Sequence, residues 1–108
     1  MSDYIENLFQ DLSYSGREEE IRSLFSSEDV RIERICSSGQ TSGIYDQEED
    51  EWVLVLDGRA QILFVDEGET HRLKKGDHLY IPAGCRHQVT YTSDPCLWLC
   101  VFWGKIAR

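Results

Sequence analysis

The sequence predicts an all-β fold, a small antiparallel sandwich or barrel, and three observations carry that prediction. Short apolar runs rich in β-branched and aromatic residues recur from Val30 onward, in the C-terminal two thirds of the chain. Turn signals separate them at close intervals: Ser37-Ser38-Gly39, Asp57-Gly58, Glu67-Gly68, Gly76-Asp77 and Pro82-Ala83-Gly84. Several short strands so punctuated imply an antiparallel architecture rather than alternating helices and strands.

The first 28 residues have a different period. Between Asp3 and Leu12 the apolar residues Ile5, Leu8 and Phe9 stand at helical spacing, and between Arg17 and Phe25 so do Ile21, Leu24 and Phe25. Ser15-Gly16 separates the two, and Glu18, Glu19 and Glu20 suit the N-terminal end of the second. Two short N-terminal helices are therefore expected within 1–28, docked on a barrel formed by 29–108. Strands are expected at Val30–Cys36, Trp52–Leu56, Ala60–Val65, Thr70–Leu73, His78–Ile81, Arg86–Thr92 and Leu97–Trp103. Asp57-Gly58 reads as a two-residue hairpin turn with positive φ at Gly58.

A chain of 108 residues is one domain, and 41% apolar with 11% aromatic residues suits a packed core. The formal net charge of −9 argues against nucleic acid and against an anionic membrane surface, both of which want clustered Lys and Arg. Met1-Ser2-Asp3-Tyr4 is not a secretory leader, and the apolar run Cys96–Trp103 is too short to span a bilayer as a helix. A cytoplasmic location is expected. The four cysteines, Cys36, Cys85, Cys96 and Cys100, form no CxxC pair and are expected as reduced, mostly buried thiols. Cys96 and Cys100 on one strand would lie about 13 Å apart, beyond disulfide reach. Both parities of Leu97–Trp103 and of Trp52–Leu56 are apolar, so one fills the barrel and the other needs a cover. The N-terminal segment or a second copy would supply it, and a homodimer is expected.

Two blocks of turn and polar residues carry the chemistry. The first runs from Gly39 through Tyr45, Gln47 and Glu51 to Gly58; the second, GDHLYIPAGCRH, runs from Gly76 through Pro82 and Gly84 to His87, with Tyr91 beyond. This spacing resembles the paired motifs of the cupin family. The first family motif carries His-x-His and then a Glu before a Gly, and the second carries Pro-x-Gly-x-x-His. The resemblance implies a double-stranded β-helix, or jelly-roll, barrel with a site at its mouth. The second motif is complete through His87, and Tyr91 stands where the family has Asn. The first keeps Glu51 and both glycines but has Tyr45 and Gln47 in place of two histidines.

Strand alternation gives an independent reading of the same residues. If Glu51 faces the interior, so does Val53; if His87 does, so do Val89 and Tyr91. Tyr45 and Gln47 share a parity. A carboxylate, an imidazole, an amide and a phenol then converge on one pocket, with Tyr45, Val53, Val89 and Tyr91 as substrate-facing walls. Gln47, Glu51 and His87 are the candidate metal ligands, and their nitrogen and oxygen donors suit Fe, Mn, Ni or Zn. The bland reading is a His87–Glu51 ion pair in a barrel without metal. The acidic stretch Asp46–Glu51 reads as a solvated loop that draws cations to the mouth. His71 and His78 read as outward-facing residues.

Three classes of function fit. They are a metal-dependent enzyme on a small molecule, a metal-free enzyme using His87 and Glu51 as acid–base groups, and a non-enzymatic ligand-binding module. A small-molecule ligand is expected in all three.

Overall fold

The structure, a computed structural model, describes residues 4–104. Nine strands account for its regular structure: β1 (Glu20–Ser26), β2 (Val30–Ser37), β3 (Ile44–Tyr45), β4 (Glu49–Asp57), β5 (Arg59–Phe64), β6 (Glu69–Lys74), β7 (His78–Ile81), β8 (His87–Thr92) and β9 (Cys96–Gly104). They form a five-stranded sheet in the order β1-β2-β9-β4-β7 and a four-stranded sheet in the order β3-β8-β5-β6. Every pairing is antiparallel. The two sheets face each other as the jelly-roll barrel that the motifs imply.

The two N-terminal helices are not there among the described residues. Glu20–Ser26 is an edge strand paired to β2, with Ile21 opposite Ile35 and Arg22 opposite Arg34. Its register shifts between Ser23 and Phe25. An extra residue in a strand breaks the two-residue alternation, and Ile21, Leu24 and Phe25 then fall at a spacing that mimics a helix. The preceding segment is irregular, with one turn closed by Gln10 N–H donating to Asn7 O (3.1 Å). It is tied to the sheet by Arg34, which is 1% exposed. Arg34 donates to the carbonyls of Leu8 (2.9 Å), Gln10 (2.6 Å) and Asp11 (3.3 Å) and pairs with Glu20 (3.2 Å). Charge-assisted bonds of this kind offset the cost of burying a guanidinium.

Asp57-Gly58 is not a hairpin. β4 pairs with β7 and β9, whereas β5 pairs with β6 and β8, so the chain crosses from one sheet to the other at Gly58. The positive φ is present, at +87°. The same backbone requirement serves a barrel corner instead of a reversal.

The core lies between the inner faces and includes Val53, Val55, Ile62, Ile81, Trp98 and Phe102. Each fully buried aliphatic contributes about 1.5–3 kcal/mol. Cys96 and Cys100 pack there as free thiols, and Cys36 is buried in the outer face beneath the N-terminal segment. Burial pushes the Cys96 thiol up to about 12, so it stays protonated. The outer face of β4 and β9, with Trp52, Leu54, Leu99, Val101 and Trp103, is half-buried in the single chain. No helix among the described residues is long and apolar enough to cross a membrane.

Candidate functional site

Glu51 and His87 reach the interior from opposite sheets. Glu51 stands on β4 opposite Phe102 of β9, and His87 begins β8 opposite Tyr45 of β3. Both are buried, at 7% and 3% exposure. His87 Nε2 lies 3.6 Å from Glu51 Oε1, an ion-pair separation rather than a direct hydrogen bond. Gln47 Nε2 donates to the same Oε1 at 3.2 Å. The Tyr45 and His87 rings lie 5.3 Å apart between centroids, tilted by 33°.

The turn before His87 is held from two sides. Gly84 N–H donates to the Gln47 carbonyl (2.8 Å), and Ala83 N–H donates to Asp50 Oδ1 (3.0 Å), which also accepts from Tyr80 (2.7 Å). Asp50 is therefore a brace for the Pro82-Ala83-Gly84 turn rather than a solvated loop residue. Its carboxyl titrates low because Tyr80 and Ala83 donate to it. Glu49, expected in the same loop, belongs to β4 and receives two bonds from Arg31, both 2.9 Å.

His87 Nδ1 lies 2.9 Å from the Cys85 carbonyl. A carbonyl only accepts, so Nδ1 carries the hydrogen and Nε2 is the nitrogen that gains or loses the proton. Burial is the largest single influence on His87 and pulls its pKa down. The nearness of Glu51 and the bond to Cys85 together outweigh burial, and the net shift is upward. Behind Glu51 the Cys100 thiol is held well above its usual range, first by burial and then by Glu51, Glu33 and Glu19. It is a neutral S–H at the cavity wall.

These groups open on one cavity of about 190 Å³. Tyr45, Gln47, Glu51, Val53, His87 and Val89 all line it. Tyr91 does not: it is 45% exposed on the outside of the four-stranded sheet. The reason is a bulge in β8, where Gln61 pairs with Tyr91 but Ile62 pairs with Val89, leaving Thr90 extra. The bulge reverses the facing, and Thr92 is buried in its place. His78 is exposed and accepts from Trp52 Nε1 (3.3 Å). His71 lies partly exposed beside Glu69.

The sequence reading missed the far wall, formed by Glu19, Arg31, Glu33, Trp98, Cys100 and Phe102. Arg31, Glu33 and Ile35 alternate along β2 and face inward. Two charges share that parity, and nothing local distinguishes a polar cavity wall from a polar surface.

A resident metal can be tested against the donors. The Nδ1–H bond to Cys85 presents Nε2 as a metal-ligating histidine is presented. Glu51 is adjacent, but the third candidate, Gln47, turns its amide N–H toward Glu51. No group of three His, Cys, Asp or Glu side chains among the described residues could hold a metal ion. The donor set does not fit a tightly held metal, which calls for at least three imidazole, thiolate or carboxylate ligands.

Comparison with known proteins adds the following. Residues 37–102 match the model of the cupin domain. A crystal structure from Ralstonia eutropha, of a protein named provisionally as a mannose-6-phosphate isomerase, is 36% identical with a TM-score of 0.85, covering 92% of this chain and 96% of that one. A conserved Streptococcus pyogenes protein of unknown function is 25% identical with a TM-score of 0.79, covering 95% of this chain and 89% of that one. A cupin superfamily protein from Desulfitobacterium hafniense is 22% identical with a TM-score of 0.73, over 81% of this chain and 78% of that one. No curated protein matches significantly.

Proposed function

The chain belongs to the cupin family, and we propose that its cavity binds a small polar molecule on which His87 and Glu51 perform metal-free acid–base chemistry of the isomerase type. The observation that carries this reading is the buried Nε2–Oε1 pair at 3.6 Å, set at the wall of an open cavity. A histidine with its Nδ1 hydrogen engaged can take a proton at Nε2 and return it. The neighbouring carboxylate stabilises the imidazolium that forms in between. Isomerising a hydroxy-carbonyl compound moves one proton from carbon to carbon, which Nε2 can carry, and one from oxygen to oxygen, which water in the open cavity can exchange. The Ralstonia protein's provisional name points to the same class of reaction.

The test is incorporation of solvent deuterium next to the carbonyl of fructose, glucose and glucosamine, followed by proton NMR. Wild type should exchange, and His87→Gln should lose at least roughly a hundredfold in rate. Exchange no faster than in buffer would overturn the acid–base chemistry and leave a binding module.

A second reading has the Nδ1 bond to Cys85 in its favour. If the Gln47 amide turns over, His87, Glu51 and Gln47 offer one nitrogen and two oxygens to a weakly held divalent ion. Such an ion would supply Lewis-acid polarisation of a bound oxygen. Deuterium exchange that vanishes in chelator and returns with metal would establish this reading in place of the first.

A further inference from the structure

The charges around the cavity are unequal. Three carboxylates line it, from Glu19, Glu33 and Glu51, against one guanidinium, from Arg31, and the imidazole of His87. No lysine lines it. Arg31 is held by two carboxylates. Its two terminal nitrogens each donate to Glu49 at 2.9 Å, its Nε lies 3.1 Å from Glu33 Oε2, and its guanidinium sits 4.0 Å from the centre of the Phe102 ring. The fork that would grip a phosphate or carboxylate is already bidentate to Glu49. Glu19 accepts from Ser37 Oγ at 3.2 Å and forms no salt bridge among the described residues. Anion recognition needs a free fork or ammonium, and this cavity has none.

The other walls suit the opposite charge. Trp98 and Tyr45 present aromatic rings, and Val53, Ile62 and Val89 supply an apolar floor. A cation gains from carboxylates and from aromatic faces alike. A volume of about 190 Å³ limits the guest to a compact molecule, well below the roughly 300–1,000 Å³ of drug-sized sites.

From this geometry we infer that the cavity selects a small amine-bearing molecule, such as an amino sugar, and turns away phosphorylated and carboxylated ones. The inference rests on the reading of this cavity as the small-molecule site and names the substrate class for it. It separates this chain from what the Ralstonia protein's provisional name, with its phosphorylated sugar, would lead one to look for.

The experiment uses the full chain and three probes on one scaffold: glucosamine, glucose and glucose 6-phosphate. Binding is read from the indole N–H resonance of Trp98. Glucosamine should bind most tightly and the phosphate most weakly, with the extremes at least roughly tenfold apart at low salt. Glu33→Gln releases Arg31 Nε from its carboxylate, and with Glu19→Gln it should erase most of that gap. If the double variant fails to fold, the wild-type ranking and its collapse in high salt decide alone. Glucose 6-phosphate binding as tightly as glucosamine overturns charge selection while leaving the cavity a ligand site. No response of Trp98 to any probe overturns both the selection and the site.

Discussion

Gly58 and Pro95 meet where the chain leaves one sheet for the other: a Cβ on Gly58 would stand 2.5 Å from the Pro95 carbonyl oxygen and 3.0 Å from Cys96 Cα. Backbone atoms cannot swing away as a side-chain tip can. With φ at +87°, any L side chain there meets both conformational strain and a clash. Gly84 has a similar φ, +78°, but nothing within 4 Å. Gly58→Ala should therefore cost about 2–4 kcal/mol and Gly84→Ala only about 1 kcal/mol. Urea denaturation of both variants checks this. Equal losses would mean the close approach at Gly58 is relieved by movement of the Ser93–Pro95 turn.

The His87–Glu51 pair makes stability depend on pH. The net shift of His87 is upward from 6.5, so the native state holds the proton more tightly than the unfolded chain. The resulting stabilisation is complete below about pH 6.5 and is lost as pH rises through the folded-state value. Wild type should thus lose stability relative to His87→Gln as pH rises from about 6.5 into the alkaline range. Melting midpoints of the two proteins across that range decide it, and a widening wild-type advantage would reverse the assignment.

Two tyrosines that the motif spacing places alike should behave differently. Tyr45 borders the cavity and stands against His87, whereas Tyr91 points outward. Tyr45→Phe should weaken glucosamine binding several-fold, and Tyr91→Phe should leave it unchanged. Equal effects in a titration would place the ligand elsewhere.

Calorimetric titration with Zn, Mn, Ni and Fe(II) examines the second functional reading. A set of one imidazole, one carboxylate and one neutral amide should bind in the micromolar range or weaker, worth about 8 kcal/mol or less. Binding should fade at acid pH, because the ligating His87 must be neutral. His87→Ala and Glu51→Gln should each abolish it. Unaffected binding in both variants would show that the ion sits outside the cavity.

The outer face of β4 and β9 predicts self-association. Trp52, Leu54, Leu99, Val101 and Trp103 are only half-buried in one chain, and an apolar sheet face of this kind calls for a cover. The N-terminal segment covers the neighbouring region around Arg34 instead. A homodimer through this face is expected, and Leu54→Lys should convert it to a monomer. A concentration-independent monomer mass for wild type in light scattering would show that no second copy is needed.

What the sequence determined by itself lies where local pattern and chemistry coincide. Pro82-Ala83-Gly84 reads as a turn leading into the strand that His87 begins, and Glu51 and Val53 share the inner face of β4 ahead of its register shift after Val55. Glu51, Val53, His87 and Val89 meet in the cavity because simple alternation holds over those stretches of their strands. The pattern failed where a strand carries an extra residue. The shift after Ser23 made β1 look helical, and the extra Thr90 sent Tyr91 outward. A bulge is set by the partner strand, so one strand's own sequence does not announce it.

Only the tertiary structure decided that Gly58 turns a corner between sheets, that Asp50 braces the turn before His87, and that β2 supplies a charged cavity wall. Each is a relation between segments far apart in the chain: Gly58 with Pro95, Asp50 with Ala83, Arg31 with Glu49 and Phe102. Turn propensity reports the φ a glycine adopts but not what lies against it. Side-chain charge reports a preference for polar surroundings but not whether water or a cavity supplies them.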